Sequence, residues 1–340
     1  MRGSLRPLRG SITANTTLGF RILADLRQRS VWTSEGQAER RKSASPPASY
    51  GTIQKKPVDF LTLIRYTEFR HSSGNAYKTT IGICGGVCME FRRIFDTIPE
   101  QFDQFRPRYS RELFEYLIHH AKIGPQKSVL EIGPGTGQAT DPILQTGCDY
   151  HAIELGEHLY AKMMEKYDRF PNFHILNDDF IIHDFGQQRF DMVYSAATIQ
   201  WIPEEIAFTK TFELLKPGGV LAMMLTREDY KTPNVELYEK IQKLYDQYFK
   251  PDIPYTHSGF RYENAQNYGF TDFEKHDFNG RRVMDQDEYV SYCGTHCDHI
   301  VIPEPYKTAF FEGLRKVVAE NGGKVIFDDT YVLYLTRKPR

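Results

Sequence analysis

The sequence predicts a doubly wound α/β domain, a mostly parallel sheet with helices on both faces. Three observations carry that prediction. Short apolar strands alternate with helices from Ser128 onward, the first of them ends in a cluster of glycines, and the tail closes on an alternating segment, Lys324–Arg337. Strands separated by helices imply right-handed crossovers and a parallel sheet.

The elements follow in order. Phe91, Phe95, Ile98 and Phe102 fall at helical spacing and predict a helix over 91–109, with Leu113, Leu117 and Ile118 on a second helix beyond Pro107. Ser128–Ile132 reads as a buried strand, Tyr150–Glu154 as the next, with a helix running to Tyr167. Phe173–Leu176 and Phe190–Ser195 are further strands, and Glu204–Leu215 is an amphipathic helix. There Lys216-Pro217-Gly218-Gly219 predicts a helix stop and a turn before the strand Val220–Leu225. Residues 233–249, 285–297 and 304–321 read as helices, and Gly322-Gly323 breaks the chain before Val325, Phe327, Tyr331, Leu333 and Leu335 alternate in a last strand.

The chain of 340 residues is long enough for one large domain, and its 40% hydrophobic and 26% charged residues are ordinary for a globular protein. No apolar run approaches the roughly 18–20 residues a spanning helix needs, so no membrane partner is expected. Five cysteines do not make a disulfide framework. The net charge of −1 hides a split: residues 1–88 hold 14 Lys and Arg against 5 Asp and Glu, and the remainder is acidic by ten. An acidic body lacks the basic footprint of a nucleic-acid surface.

Residues 1–88 differ in style. Arg2, Arg6, Arg9, Arg21, Arg27 and Arg29 among many Ser and Thr have the composition of a transit peptide or of a segment that does not fold, and Ser43–Ser49 reads as a linker. Residues 50–88 show no sustained apolar period. Residues 1–88 are therefore expected to be a disordered or non-native extension, with Met89 a candidate start and 89–340 the catalytic domain. A cytoplasmic location is expected, mitochondrial if the Arg-rich leader 1–45 is genuine.

The chemistry centres on Val129-Leu130-Glu131-Ile132-Gly133-Pro134-Gly135-Thr136-Gly137. Glycines there let the backbone turn and approach a ligand, and the next helix offers unpaired N–H groups. In a parallel sheet, ligands bind at the carboxyl ends of the strands. The spacing is not the G-x-G-x-x-G of a dinucleotide fold. Glu154 closes the second strand, where one carboxylate can accept both hydroxyls of a ribose. Asp179, with Phe180 beside it, suits an adenine amino group next to an apolar ring.

In this order, over about residues 95–337, these motifs resemble the class I S-adenosylmethionine-dependent methyltransferase family. The resemblance implies a Rossmann-like fold of seven strands, S-adenosylmethionine as cofactor and a small-molecule acceptor of undetermined O, N or carboxylate type. It carries Glu131, Gly133, Gly135 and Gly137 to the methionine end of the cofactor, Glu154 to the ribose, Asp179 and Phe180 to the adenine. Ala196 and Ala197 fall on the segment beneath the methionine. Phe105-Arg106-Pro107-Arg108-Tyr109 is similar to an N-terminal lid of small-molecule members, and the tail around Tyr289 and 295–299 looks like bacterial trans-aconitate-type enzymes. A helical insertion over about 227–262 is expected to help cap the acceptor.

Departures limit the carry-over. Gln200-Trp201 stands where many members have His before an aromatic, so no catalytic residue is assigned. Cys293, His296, Cys297 and His299 carry metal-ligand chemistry at a spacing that fits no common site, and no metal is expected. Cys84-Gly-Gly-Val-Cys88 is discounted, and His257 reads as a loop residue. The alternatives are a cofactor-binding pseudoenzyme and a nicotinamide-dependent oxidoreductase.

Overall fold

The computed structural model describes residues 65–70, 76–84, 87–252 and 259–340. Arg65–Arg70 (β1), Ala76–Cys84 (β2) and Val87–Glu90 (β3) form a three-stranded antiparallel sheet in which Thr67 pairs with Thr79 and Gly82 with Met89. The last part of the segment expected to be a disordered or non-native extension, 65–70, 76–84 and 87–88, is thus extended and paired. These segments are rich in aromatic and β-branched residues, which favour extended backbone even where alternation is imperfect. Residues 1–64 lie outside the described residues.

The short 3-10 helix Phe91–Thr97 follows, then α1 (Pro99–Phe105) and α2 (Arg111–Ala121). The single helix expected over 91–109 is thus broken, with Pro99 in the first turn of α1, where its missing N–H costs nothing. Ser110 caps α2 by accepting from the Leu113 N–H.

The main sheet is built from Ser128–Ile132 (β4), Asp149–Glu154 (β5), Phe173–Asn177 (β6), Phe190–Ala196 (β7), Leu215–Asp229 (β8), Thr271–Asp285 (β9) and Lys324–Arg337 (β10). Its order is β6-β5-β4-β7-β8-β10-β9; the first five strands run parallel and β10 is antiparallel to both neighbours. Between them lie α3 (Thr140–Leu144), α4 (Glu157–Tyr167), α5 (Glu204–Leu214), α6 (Val235–Tyr248), α7 (Gln286–Cys293), α8 (Cys297–Ile300) and α9 (Tyr306–Glu320). The seven-stranded, doubly wound prediction holds.

Period-two alternation splits the strands between two cores. Val129, Tyr150, Met192 and Leu333 pack with α2 and α3 on one face, while Leu130, Ile153, Val193 and Leu221 meet Ala207, Phe208 and Leu214 of α5 on the other. A third core joins α6, α7 and α9 around Phe310 and Leu314, and takes in the tyrosine face of α6.

Two readings need correction. The Lys216–Gly219 turn is absorbed into β8, because its backbone is satisfied from the far end of the chain: Gly218 N–H donates to Lys338 O at 2.9 Å and Lys338 N–H to Gly219 O at 2.9 Å. The edge strand β9 carries no strand signal in sequence because its residues are largely charged and interrupted by Gly280, as suits an exposed edge. A Cβ at Gly280 would lie 2.6 Å from the Tyr331 ring, so the glycine admits the aromatic from β10.

Candidate functional site

The carboxyl ends of β4, β5 and β7 meet where the order of connections reverses, and the residues of the motif gather there. After β4 the loop carries Gly133, Gly135 and Gly137 at φ of 62°, 61° and 90°. At Gly135 a Cβ would approach the Phe102 ring to 3.0 Å, so the position demands glycine both for its backbone and for its surroundings. Its N–H donates to Glu154 Oε2 at 3.0 Å, and the Gly156 N–H donates to Glu154 Oε1 at 2.8 Å. Glu154 thus joins the glycine loop to the start of α4.

Glu154 is 5% exposed. Burial pushes its carboxyl up to about 7, against the pull of the backbone N–H groups of Gly156 and Gly135. Each oxygen keeps a second acceptor position, which is what a pair of ribose hydroxyls needs. The raised value has a sign. The folded state holds the Glu154 proton more tightly than the unfolded chain, so its contribution to stability is full below the ordinary carboxylate range and is lost as pH rises through about 7. The melting temperature of Glu154→Gln minus that of wild type should therefore increase between pH 5 and pH 8. Melting curves across that range check it, and a flat difference would contradict the burial argument.

At the end of β7, Ala197 has φ 55°, an unusual conformation for a side chain with Cβ, held by its N–H donating to Met224 O at 2.8 Å. This bend directs Thr198 back onto the loop, where its hydroxyl donates to Gly133 O at 2.9 Å. Ala196 is partly open beside it.

Two expected contacts lie elsewhere. Glu131 is fully enclosed, 0% exposed, on the face packed by α3. Its Oε2 accepts from Thr140 at 2.7 Å, from Tyr194 at 2.8 Å and from Tyr150, while Oε1 is buried without a hydrogen-bond partner. Burial pushes this carboxyl up, opposed by the three hydroxyls. Phe180 is buried against Phe185 with the Lys210 ammonium over its ring, turned into the core. Both support the crevice from behind, because period two sends Glu131 to the helix-covered face of β4.

Asp179 is at the crevice but already engaged. Arg92 donates Nη1–H to Oδ1 at 3.0 Å and Nη2–H to Oδ2 at 2.7 Å, and the Ile181 N–H adds 2.9 Å to Oδ1. Burial pushes the carboxyl up, but Arg92 outweighs it and holds Asp179 below its ordinary range.

Arg92 belongs to a segment whose apolar period the sequence shows and whose polar contacts it hides. Arg93 donates to Leu155 O at 2.7 Å. Asp96 accepts from His158 N–H at 2.8 Å and Leu159 N–H at 3.0 Å, capping α4, whose own N-cap Gly156 has no side chain. Trp201 packs on Phe91 and Phe95, centroids 6.2 and 5.7 Å away, as a lid aromatic. Arg106 lies over Phe95 and Phe102 and donates to Thr295 O at 3.0 Å. The stretch 91–106 thus covers the crevice.

His299 is buried between Asp298, at 2.6 Å from Nδ1, and the Tyr245 hydroxyl, at 2.8 Å from Nε2. His296 lies edge-on to Tyr292 and tilted against His299, and burial followed by the charges of Arg106 and His299 pushes it well down. Among the described residues no group of three or more His, Cys, Asp and Glu is placed to hold a metal. His257 and the side chains of Cys84 and Cys88 lie outside what is described.

The crevice can hold a polar ligand with a vicinal diol against Glu154 and a charged chain along the glycine loop. Residues 130–221 match the family described as "Methyltransferase domain". A methyltransferase-like protein of Schizosaccharomyces pombe, itself uncharacterized, is 25% identical over 164 residues, covering 48% of this chain and 61% of that protein. The ribosomal RNA small subunit methyltransferase A of Ureaplasma urealyticum is 37% identical over 78 residues, 23% of this chain and 27% of the relative. The chain thus spans less than two thirds of these relatives. A solved structure from Anaeromyxobacter dehalogenans, assigned provisionally as a type II methyltransferase, superposes with TM-score 0.51 at 20% identity, covering 69% of this chain and all of that one, and shows the same fold. With the glycine loop, Glu154 and the sheet order in place, these matches support a class I S-adenosylmethionine-dependent methyltransferase fold, with the matched methyltransferase domain over residues 130–221.

Proposed function

We propose that this protein transfers a methyl group from S-adenosylmethionine to a small-molecule acceptor. The observation that carries it is the glycine loop and Glu154 bound to each other across the carboxyl ends of β4 and β5. Glu154 would hold the ribose, Gly133, Gly135 and Gly137 the methionine chain, Ala196 the floor beneath it, and Asp179 the adenine edge. The cofactor, when bound, supplies a methyl on a sulfonium that is already a good leaving group. What remains for the protein is alignment and exclusion of water, and such alignment can lower a barrier by roughly 7–11 kcal/mol.

A small acceptor is supported by two features. The stretch 91–106 bonds across the rim of the crevice, with Arg93 on Leu155 O and Asp96 on the start of α4, and the body from residue 89 is acidic. Purified protein should form S-adenosylhomocysteine when supplied with the methyl donor and one member of a broad metabolite panel, and not with ribosomal RNA. Turnover with RNA alone would overturn the acceptor class; cofactor binding without turnover on any substrate would favour a binding module.

A further inference from the structure

The carboxylate best placed to read adenine is occupied by the protein itself. Asp179 offers about four acceptor positions, and three are filled, by the two arms of Arg92 and by the Ile181 N–H. Arg92 and Asp179 are 15% and 16% exposed, so the pair is sheltered from solvent, and its two-pronged geometry is the strong form of an ion pair. An adenine amino group is also a hydrogen-bond donor, and it would meet the guanidinium on the same carboxylate edge.

The rest of the segment points the same way. Within 91–102, Arg93 takes the carbonyl at the end of β5, Asp96 caps α4 next to Glu154, and the Phe102 ring lies against Gly135. Each of these contacts falls on an element that the cofactor would touch. A single continuous stretch therefore engages the adenine, ribose and methionine ends of the crevice together.

We propose that the Arg92–Asp179 ion pair is a latch on the cofactor crevice: it holds the 91–102 segment shut, and S-adenosylmethionine binds by exchanging its adenine edge for the guanidinium on Asp179. The proposal rests on the functional reading above. The segment is then a competing intramolecular ligand, and the affinity observed is the intrinsic affinity scaled by the fraction of molecules unlatched. A latch closed in about nine molecules of ten weakens apparent binding about tenfold.

The test titrates S-adenosylhomocysteine, which cannot turn over, into the full chain carrying Trp32→Phe, so that Trp201 is the one indole left. Arg92→Gln should bind about tenfold more tightly than this parent, and Arg92→Lys, which keeps charge without the fork, should lie between. In the Asp179→Asn background, Arg92→Gln should bring no further gain. Without ligand, Arg92→Gln should shift Trp201 emission to the red as Phe91 and Phe95 move off its ring. Equal or weaker binding by Arg92→Gln, or the same gain in both backgrounds, overturns the latch while leaving the cofactor assignment standing. A folded parent that binds no S-adenosylhomocysteine overturns both.

Discussion

Glu131→Ala should lower stability by about 3 kcal/mol while barely changing cofactor affinity. The substitution removes the acceptor shared by the buried hydroxyls of Thr140, Tyr150 and Tyr194 and opens a void between β4 and α3. Leaving buried polar groups unsatisfied costs about 1–3 kcal/mol each. Tyr150 lies 3.2 Å from Thr140 Oγ1 and 3.3 Å from the Tyr194 hydroxyl, so part of that loss is recovered by mutual pairing. For a domain of this size the result is a fall of roughly 6–12 °C in melting temperature. Glu131→Gln keeps one acceptor in place and should recover most of it. Melting curves with parallel titrations separate the roles: an unchanged melting point with binding more than about tenfold weaker would put Glu131 on the cofactor, as the resemblance implies.

Gly135→Val should weaken cofactor binding at least about 100-fold, the largest effect expected on the site. At φ 61° a residue with Cβ is strained by roughly 1–2 kcal/mol, and the branched side chain would press on the Phe102 ring that already lies 3.0 Å from the Cβ position. Relief of either strain moves the Gly135 N–H off Glu154 and distorts two contact points of the ligand together. Gly322→Val is the control, since Gly322 has φ 94° with open space around it and lies at the turn before β10. The control should lose some stability and no affinity. Calorimetry on both variants decides it, and similar binding by Gly135→Val and wild type would remove the glycine loop from the site.

The parts legible in sequence were those with local causes. β4, with its glycines, and Glu154 at the end of β5 could be placed because a buried strand, a tight turn and a carboxylate at a strand end are short-range patterns. The last strand was legible from strict alternation and has the predicted bounds, Lys324–Arg337. What escaped depends on distant partners. β9 is a strand because β10 pairs with its whole length, not because its charged residues demand it. Glu131 reads as a ligand in the motif, and only the three hydroxyls brought by α3, β5 and β7 show it to be a core group. Arg92 and Asp96 gave no signal: an arginine becomes a partner of Asp179, and an aspartate a cap for α4, only when the chain folds back over 87 and 62 residues. The aromatic spacing at Phe91, Phe95 and Phe102 was the one visible trace of that segment.

Direct titration of the purified full chain with S-adenosylmethionine tests the central claim most simply. At pH 8, where the Glu154 carboxyl is mostly ionised, the account predicts saturable binding heat with one site per chain, retained with S-adenosylhomocysteine, weakened roughly 10- to 150-fold by Glu154→Ala through loss of charge-assisted hydrogen bonds worth about 1.5–3 kcal/mol, and absent with NADH. A folded protein that gives no heat with either sulfur ligand, or that binds them equally well after Glu154→Ala, would contradict it.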